Sequence, residues 1–205
     1  MDEIKTGGFY TVGQLILASS SPRRQKFLHE LGIDFSVEVK EIDESCDVGE
    51  TPERVVKRLA EEKGTEIARQ FPSAYVLAAD TVVVIDDEIL GKPKNSADAE
   101  VMLKTLSGRW HEVWSGFSIQ KAEDALCVQQ AVRTQVLFRE LTEDLCRAYV
   151  LTGEPLDKAG GYGLQGRGGF LVEEIKGSYS NVIGLPVAQV IDIMLQYGII
   201  VPRLK

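Results

Sequence analysis

The sequence predicts an α/β fold, with a mixed, twisted sheet, flanking helices and two lobes around a central cleft. Three observations carry this. Aliphatic runs of strand character alternate with amphipathic segments of helical period along the chain. The first such run passes directly through a loop of serines into a helix start. Further on, two consecutive segments alternate apolar and polar residues about a short turn, as an antiparallel pair does.

Each element follows from its residues. QLILAS, residues 14–19, reads as a buried strand ended by serines. Pro22 is placed as the first residue of a helix with Ser21 as its N-cap. That helix puts Phe27, Leu28 and Leu31 on one face and stops at Gly32. DFSVEV, residues 34–39, reads as a second strand. A loop then feeds a long amphipathic helix, with Thr51 capping and Pro52 in the first turn. SAYVLAADTVVVIDDEIL, residues 73–90, is the strongest strand signal, and its Asp-Asp-Glu offers a tight hairpin turn. Residues 96–108 form a capped helix ending in glycine. Residues 109–122 and 125–141 are the antiparallel pair, turning near Glu123 and Asp124. Residues 142–153 give another capped helix, a glycine-dense stretch runs to Gly184, and a final helix spans Pro186 to Tyr197. With no repeat or linker, residues 1–205 read as one domain of two lobes, and residues 1–13 as an N-terminal extension.

Composition narrows the function. With 205 residues, 44 % of them hydrophobic, the chain can bury a substantial core. A net charge of -8 argues against a nucleic acid polymer or an anionic membrane as partner, so any anion is handled locally. Three cysteines, Cys46, Cys127 and Cys146, lack metal-ligand spacing and read as small buried residues in a reducing compartment. The apolar run from Val12 to Ala18 is too short for a signal peptide or membrane span, so the cytoplasm is expected.

Three places can carry chemistry. In the first, LILASSSPRR, a strand ends in hydroxyl residues at a helix N-terminus, whose free N–H groups and dipole suit a phosphate. Arg23 and Arg24 add planar donors for phosphate oxygens, although cations there oppose the dipole unless something else favours them. The plainer reading is a capped helix with two solvated arginines. In the second, Asp80 lies within an aliphatic run, where a carboxylate needs either a sheet edge or a partner. It reads as a metal ligand or general base in a cleft, or as an aspartate bonded to nearby backbone. Asp43 and Glu44 in a neighbouring loop could share magnesium with it. Lys63 and Lys92 could reach the same cleft, or be ordinary surface lysines. In the third, GEPLDKAGGYGLQGRGG, glycines allow close backbone approach to a ligand, while Tyr162 and Gln165 offer a stacking face and an amide. Its spacing matches neither a dinucleotide fingerprint nor a P-loop. Trp110 and Trp114 are expected in core or interface packing, and His29 and His111 carry no signal.

LASSSPRR, AADTVV, GKP, LSGRWHEVWSG, YVLTGEPLDKAGGYGLQG and GSYSNVIGLP, in this order, together resemble the Maf family of nucleoside triphosphate pyrophosphatases. The resemblance covers residues 14 to about 197. It implies a Maf/ITPase-like fold that hydrolyses a nucleoside triphosphate to the monophosphate and pyrophosphate, with Mg2+ or Mn2+, in a cytoplasmic homodimer. It places the general base on Asp80 and the phosphate contacts on Ser21, Arg23, Arg24, Lys63 and Lys92. The metal-side acids fall on Glu44 and Asp80, and substrate specificity on Arg23, Thr81 and Gln165. The paired arginines and the DKAGGYGLQG loop resemble the dTTP/UTP branch rather than the 7-methyl-GTP branch. Arg167 departs from the apolar residue expected in the loop and could contact nucleotide or a neighbouring subunit. Other readings are a nucleotide-binding regulator of septum formation with little turnover, and a phosphatase or nucleotidyl transferase using the same cradle.

Overall fold

The computed structural model describes residues 7–47 and 49–204. In chain order the elements are β1 (Phe9–Thr11), β2 (Leu15–Leu17), α1 (Pro22–Glu30), β3 (Ser36–Val37), α2 (Pro52–Ala68), β4 (Tyr75–Ile85) and β5 (Glu88–Leu90). They continue with α3 (Ser96–Leu106), β6 (Trp110–Lys121), β7 (Leu126–Phe138), α4 (Glu143–Val150), β8 (Val172–Lys176), α5 (Tyr179–Ile183), α6 (Val187–Gln196) and β9 (Ile200–Pro202). The main sheet has the order β3-β2-β4-β6-β7-β8, with β5 paired to β4 beside that path. β2 runs parallel to β3 and β4, while β4, β6, β7 and β8 pair antiparallel. The mixed sheet expected from the sequence is therefore present.

β4 organises the interior because its successive side chains fall on opposite faces. On one face Leu77 and Ala79 pack with Leu28 of α1 and Val190 of α6, and Val83 and Ile85 pack with Leu103 of α3 and Tyr149 of α4. On the other, Val76 and Ala78 meet Ile67 and Ala68 near the end of α2, and Val82 and Val84 meet Val55, Val56 and Leu59 near its start. Each face thus carries two apolar clusters with a gap between them. Asp80 occupies the gap facing α2, and Thr81 occupies the gap on the opposite face.

Local signals mostly formed as their chemistry dictates. Thr51 and Thr142 cap α2 and α4 by accepting the N–H groups of Arg54 and Leu145. Asp86 and Asp87 both take positive φ, 51° and 64°, as a two-residue hairpin turn requires. Ser21 is the N-cap of α1 by position, but its hydroxyl makes no capping bond. The second strand shrinks to Ser36–Val37. Residues 9–11, inside the expected extension, form β1 and pair with β9, and residues 1–6 of that extension lie outside the described residues. The glycine-dense stretch holds β8 and α5 as well as three short 3₁₀ segments. The cysteines differ from expectation: Cys146 is buried, but Cys46 lies exposed in the loop before α2 and Cys127 is exposed near the start of β7.

Candidate functional site

A cleft of about 770 Å³ opens over the middle of β4. Ser21, Arg23, Arg24, Glu44, Lys63, Asp80, Thr81, Lys92 and Gln165 all line it, so the nine residues that the family resemblance assigns to the site are brought to one place. Asp43, Arg167 and the two tryptophans do not line it. The Asp43 carboxylate accepts the Ser45 N–H at 2.9 Å, and Arg167 is exposed. Trp110 lies under the Lys176 ammonium, 4.1 Å from its ring centre, and the Trp114 indole N–H donates to Glu112 at 2.8 Å.

On the α2 side the Lys63 Nζ sits 2.6 Å from Asp80 Oδ1 and 2.6 Å from Glu44 Oε1. Lys92 approaches the other Glu44 oxygen at 3.6 Å. Burial works against the charge of Glu44, but the hydrogen bond and charge of Lys63, with those of Lys92, outweigh it and hold the carboxyl below the usual range. Two glycines make this closeness possible. A Cβ on Gly116, the partner of Asp80 across the ladder, would lie 2.4 Å from the Val56 carbonyl of α2. A Cβ on Gly64 would lie 2.5 Å from the Gln120 amide nitrogen of β6. The helix therefore presses onto bare backbone, and Lys63 reaches the carboxylate behind it.

On the opposite side Arg24 is fixed by three bonds. Its Nε donates to the Gly184 carbonyl at 2.8 Å, one terminal nitrogen to Ser19 Oγ at 3.0 Å and the other to Thr81 Oγ1 at 3.2 Å. Burial lowers its pKa, opposed by the charges of Asp80 and Glu44, yet a guanidinium stays charged. Arg23 donates to the Ile183 carbonyl at 3.4 Å and lies 4.0 Å from Asp157. Carbonyls at the end of α5 thus favour two cations that the start of α1 disfavours. Thr81 also bonds Ser115 at 2.8 Å, and Ser115 donates to the Asn181 carbonyl at 2.9 Å.

Sequence reasoning missed three participants. Ser19 orients Arg24, and its signal was its place in the serine run. Ser115 backs Thr81 from the neighbouring strand, which only ladder register reveals. Lys158 lines the cleft, with its Nζ 2.6 Å from Asp157. As for a metal, Glu44 and Asp80 offer hard carboxylate oxygens, and Asp80 Oδ2 has no protein partner among the described residues. Among those residues no group of three or more His, Cys, Asp or Glu could hold an ion alone. Magnesium is commonly held by one or two carboxylates plus substrate phosphates, and this donor set fits that arrangement.

The family model described as Maf-like protein matches residues 14–197. A dTTP/UTP pyrophosphatase of Desulfotalea psychrophila is 51% identical over 186 residues, covering 91% of this chain and 95% of the relative. That of Geotalea uraniireducens is 48% identical, over 91% of this chain and 96% of its own. That of Syntrophus aciditrophicus is 50% identical, over 90% of each chain. The match takes in every residue that lines the cleft at Asp80, Arg23, Arg24 and Gln165, and the chain belongs to the Maf family.

Proposed function

We propose that the protein is a nucleoside triphosphate pyrophosphatase that hydrolyses dTTP and UTP, together with modified pyrimidine nucleotides, to the monophosphate and pyrophosphate. One observation carries the reading: an acid on one face of β4 and a fixed arginine on the other open into a single cleft with Lys63, Lys92 and Gln165. The relatives' activity supports it.

The reaction breaks the bond between the α and β phosphates and adds water, leaving two anions. Arg23, Arg24, Lys63 and Lys92 offset the charge on the phosphate oxygens, and the Ser21 hydroxyl, which makes no capping bond, offers a further donor. Asp80, with Oδ2 unpaired, accepts the proton of the attacking water. Lys63 serves two carboxylates and keeps the third of its N–H donors for a phosphate oxygen. Glu44 would hold a divalent ion, joined by Asp80 where Asp80 serves as ligand in place of base, and the ion would neutralise charge on the leaving group. Thr81, Arg23 and Gln165 face the nucleoside end, where the Gln165 amide offers both a donor and an acceptor to a pyrimidine edge. The reading includes a cytoplasmic homodimer, which the family resemblance supports. No helix among the described residues is long and apolar enough to cross a membrane.

Turnover of a nucleotide panel with magnesium or manganese, scoring pyrophosphate and orthophosphate separately, tests the reading. Pyrophosphate from dTTP and UTP is expected, reduced about 10²-fold or more in Asp80→Asn. Binding without turnover supports the septum-linked sensor instead, orthophosphate release a phosphatase, and preference for 7-methyl-GTP the other branch.

A further inference from the structure

Glu154 sits in the same glycine-dense segment as Gln165 but does not line the cleft. Its carboxylate is the hub around which the segment folds. Oε2 accepts the Arg167 N–H at 3.0 Å, and Oε1 accepts the Gly168 N–H at 3.1 Å and the Tyr149 hydroxyl at 3.0 Å. Tyr149, buried on α4, accepts the Gly163 N–H in turn at 3.0 Å. Both ends of the run from Gly163 to Gly168 are therefore fastened to two side chains that bond each other, and Gln165 stands between the fastenings.

The glycines report how closely the loop wraps this hub. Gly166 takes φ +92°, and a Cβ there would lie 3.0 Å from Glu154 Oε2. A Cβ on Gly168 would lie 2.3 Å from the Gly163 carbonyl oxygen and 2.6 Å from the Tyr149 hydroxyl. Lys158 adds a brace by donating to the Glu154 backbone carbonyl at 2.6 Å. No hydrogen bond to another residue orients the Gln165 amide among the described residues, so its direction is inherited from the backbone that Glu154 and Tyr149 hold.

We propose that Glu154, acting with Tyr149, is a positioning residue that sets nucleobase selection by fixing the loop that presents Gln165. The proposal rests on the pyrophosphatase reading above and assigns Glu154 no contact with substrate. A carboxylate accepting three donors makes charge-assisted bonds, stronger than neutral ones. Glu154→Gln keeps the size but turns one acceptor into a donor facing an N–H, which releases one end of the loop. Tyr149→Phe keeps the ring in the core and removes only the hydroxyl that ties Gly163 to Glu154.

Steady-state pyrophosphate release from dTTP, UTP and dCTP by the full chain and both variants tests the proposal, alongside amide hydrogen exchange over residues 163–168. In Glu154→Gln the KM for dTTP and UTP is expected to rise about tenfold, with kcat changing less and the preference for dTTP over dCTP falling by a similar factor. Exchange at Arg167 and Gly168 should accelerate, and in Tyr149→Phe exchange at Gly163. Unchanged KM and preference overturn the proposal. So does an equal fall in kcat on every nucleotide with the preference intact, the mark of a merely structural residue. Should Glu154→Gln not fold, Tyr149→Phe decides alone by the same measures. If the unaltered chain releases pyrophosphate from no nucleotide, the functional reading fails separately. Calorimetric binding of dTMP against dCMP then decides: selectivity lost in the variants supports the proposal, and equal binding in all forms overturns it.

Discussion

Arg23 and Arg24 are adjacent in sequence but differ in how the fold holds them. Arg24 spends three nitrogens on Gly184, Ser19 and Thr81, whereas Arg23 has one long bond to a carbonyl and a loose approach to Asp157. The fork geometry of a guanidinium cannot be copied by an ammonium. Arg24→Lys is therefore expected to lose about 2 kcal/mol of stability in urea unfolding, because one ammonium cannot replace three buried bonds to a carbonyl and two hydroxyls, while Arg23→Lys loses about 0.5 kcal/mol or less. The sequence made both residues legible as a pair of cations at a helix start, and even posed the question of what favours them against the dipole. It could not show the answer, because Ile183 and Gly184 lie about 160 residues away along the chain.

At the scale of elements, the contact between α2 and β6 does the most for the site. Gly116→Ala puts a methyl 2.4 Å from a backbone carbonyl that cannot turn aside. About 2 to 3 kcal/mol of destabilisation is expected, along with reduced pyrophosphate release as Lys63 is pushed away from Asp80. Gly64→Ala should cost less, because its obstacle is the end of the Gln120 side chain. Chemical denaturation and activity assays on the two variants check both statements. Long elements with a clear period, such as α2 and the β6–β7 hairpin, were legible in sequence because burial of one face writes that period. β1 and β9, of three residues each, are too short to write one. β8 carries Glu173, Glu174 and Lys176 at the sheet edge, so its composition reads as loop. α5 follows directly on Gly177 and Ser178, and its five residues span little more than one turn.

Across the whole molecule, part of the acid dependence of stability falls on a residue that carried no sequence signal. His111 is buried, with its Nε2 2.8 Å from the Tyr162 hydroxyl and its ring edge-on to Phe138. Burial pushes its pKa down from 6.5 to about 4. The unfolded chain therefore binds a proton between pH 6.5 and 4 that the folded chain refuses, and the stability owed to this histidine falls as pH drops through that window, its contribution levelling off below it. A loss of about 2 kcal/mol is expected between pH 7 and pH 5, read as a shift in the urea midpoint, and His111→Gln should flatten that dependence. The cleft itself was more legible than this interior. The nine residues that the family resemblance assigns to the site all line it, whereas histidine burial depends on β6 pairing with β7 and on a loop 51 residues later.

The alternation of β4 has one more consequence. Asp80 and Thr81 are consecutive, yet they serve opposite faces of the sheet, one meeting Lys63 and the other Arg24. A slip of the strand by a single residue would put the hydroxyl where the acid belongs and carry the acid to the place of Ala79, among apolar neighbours. Nine consecutive pairings with β6 and three with β2 oppose that slip. The Lys63 and Arg24 sides of the cleft are thus tied to a single rigid strand and cannot drift apart by small adjustments. On the proposed reading, the loop that carries Gln165 can be remodelled to change the base accepted while the strand keeps Asp80 and Lys63 in place.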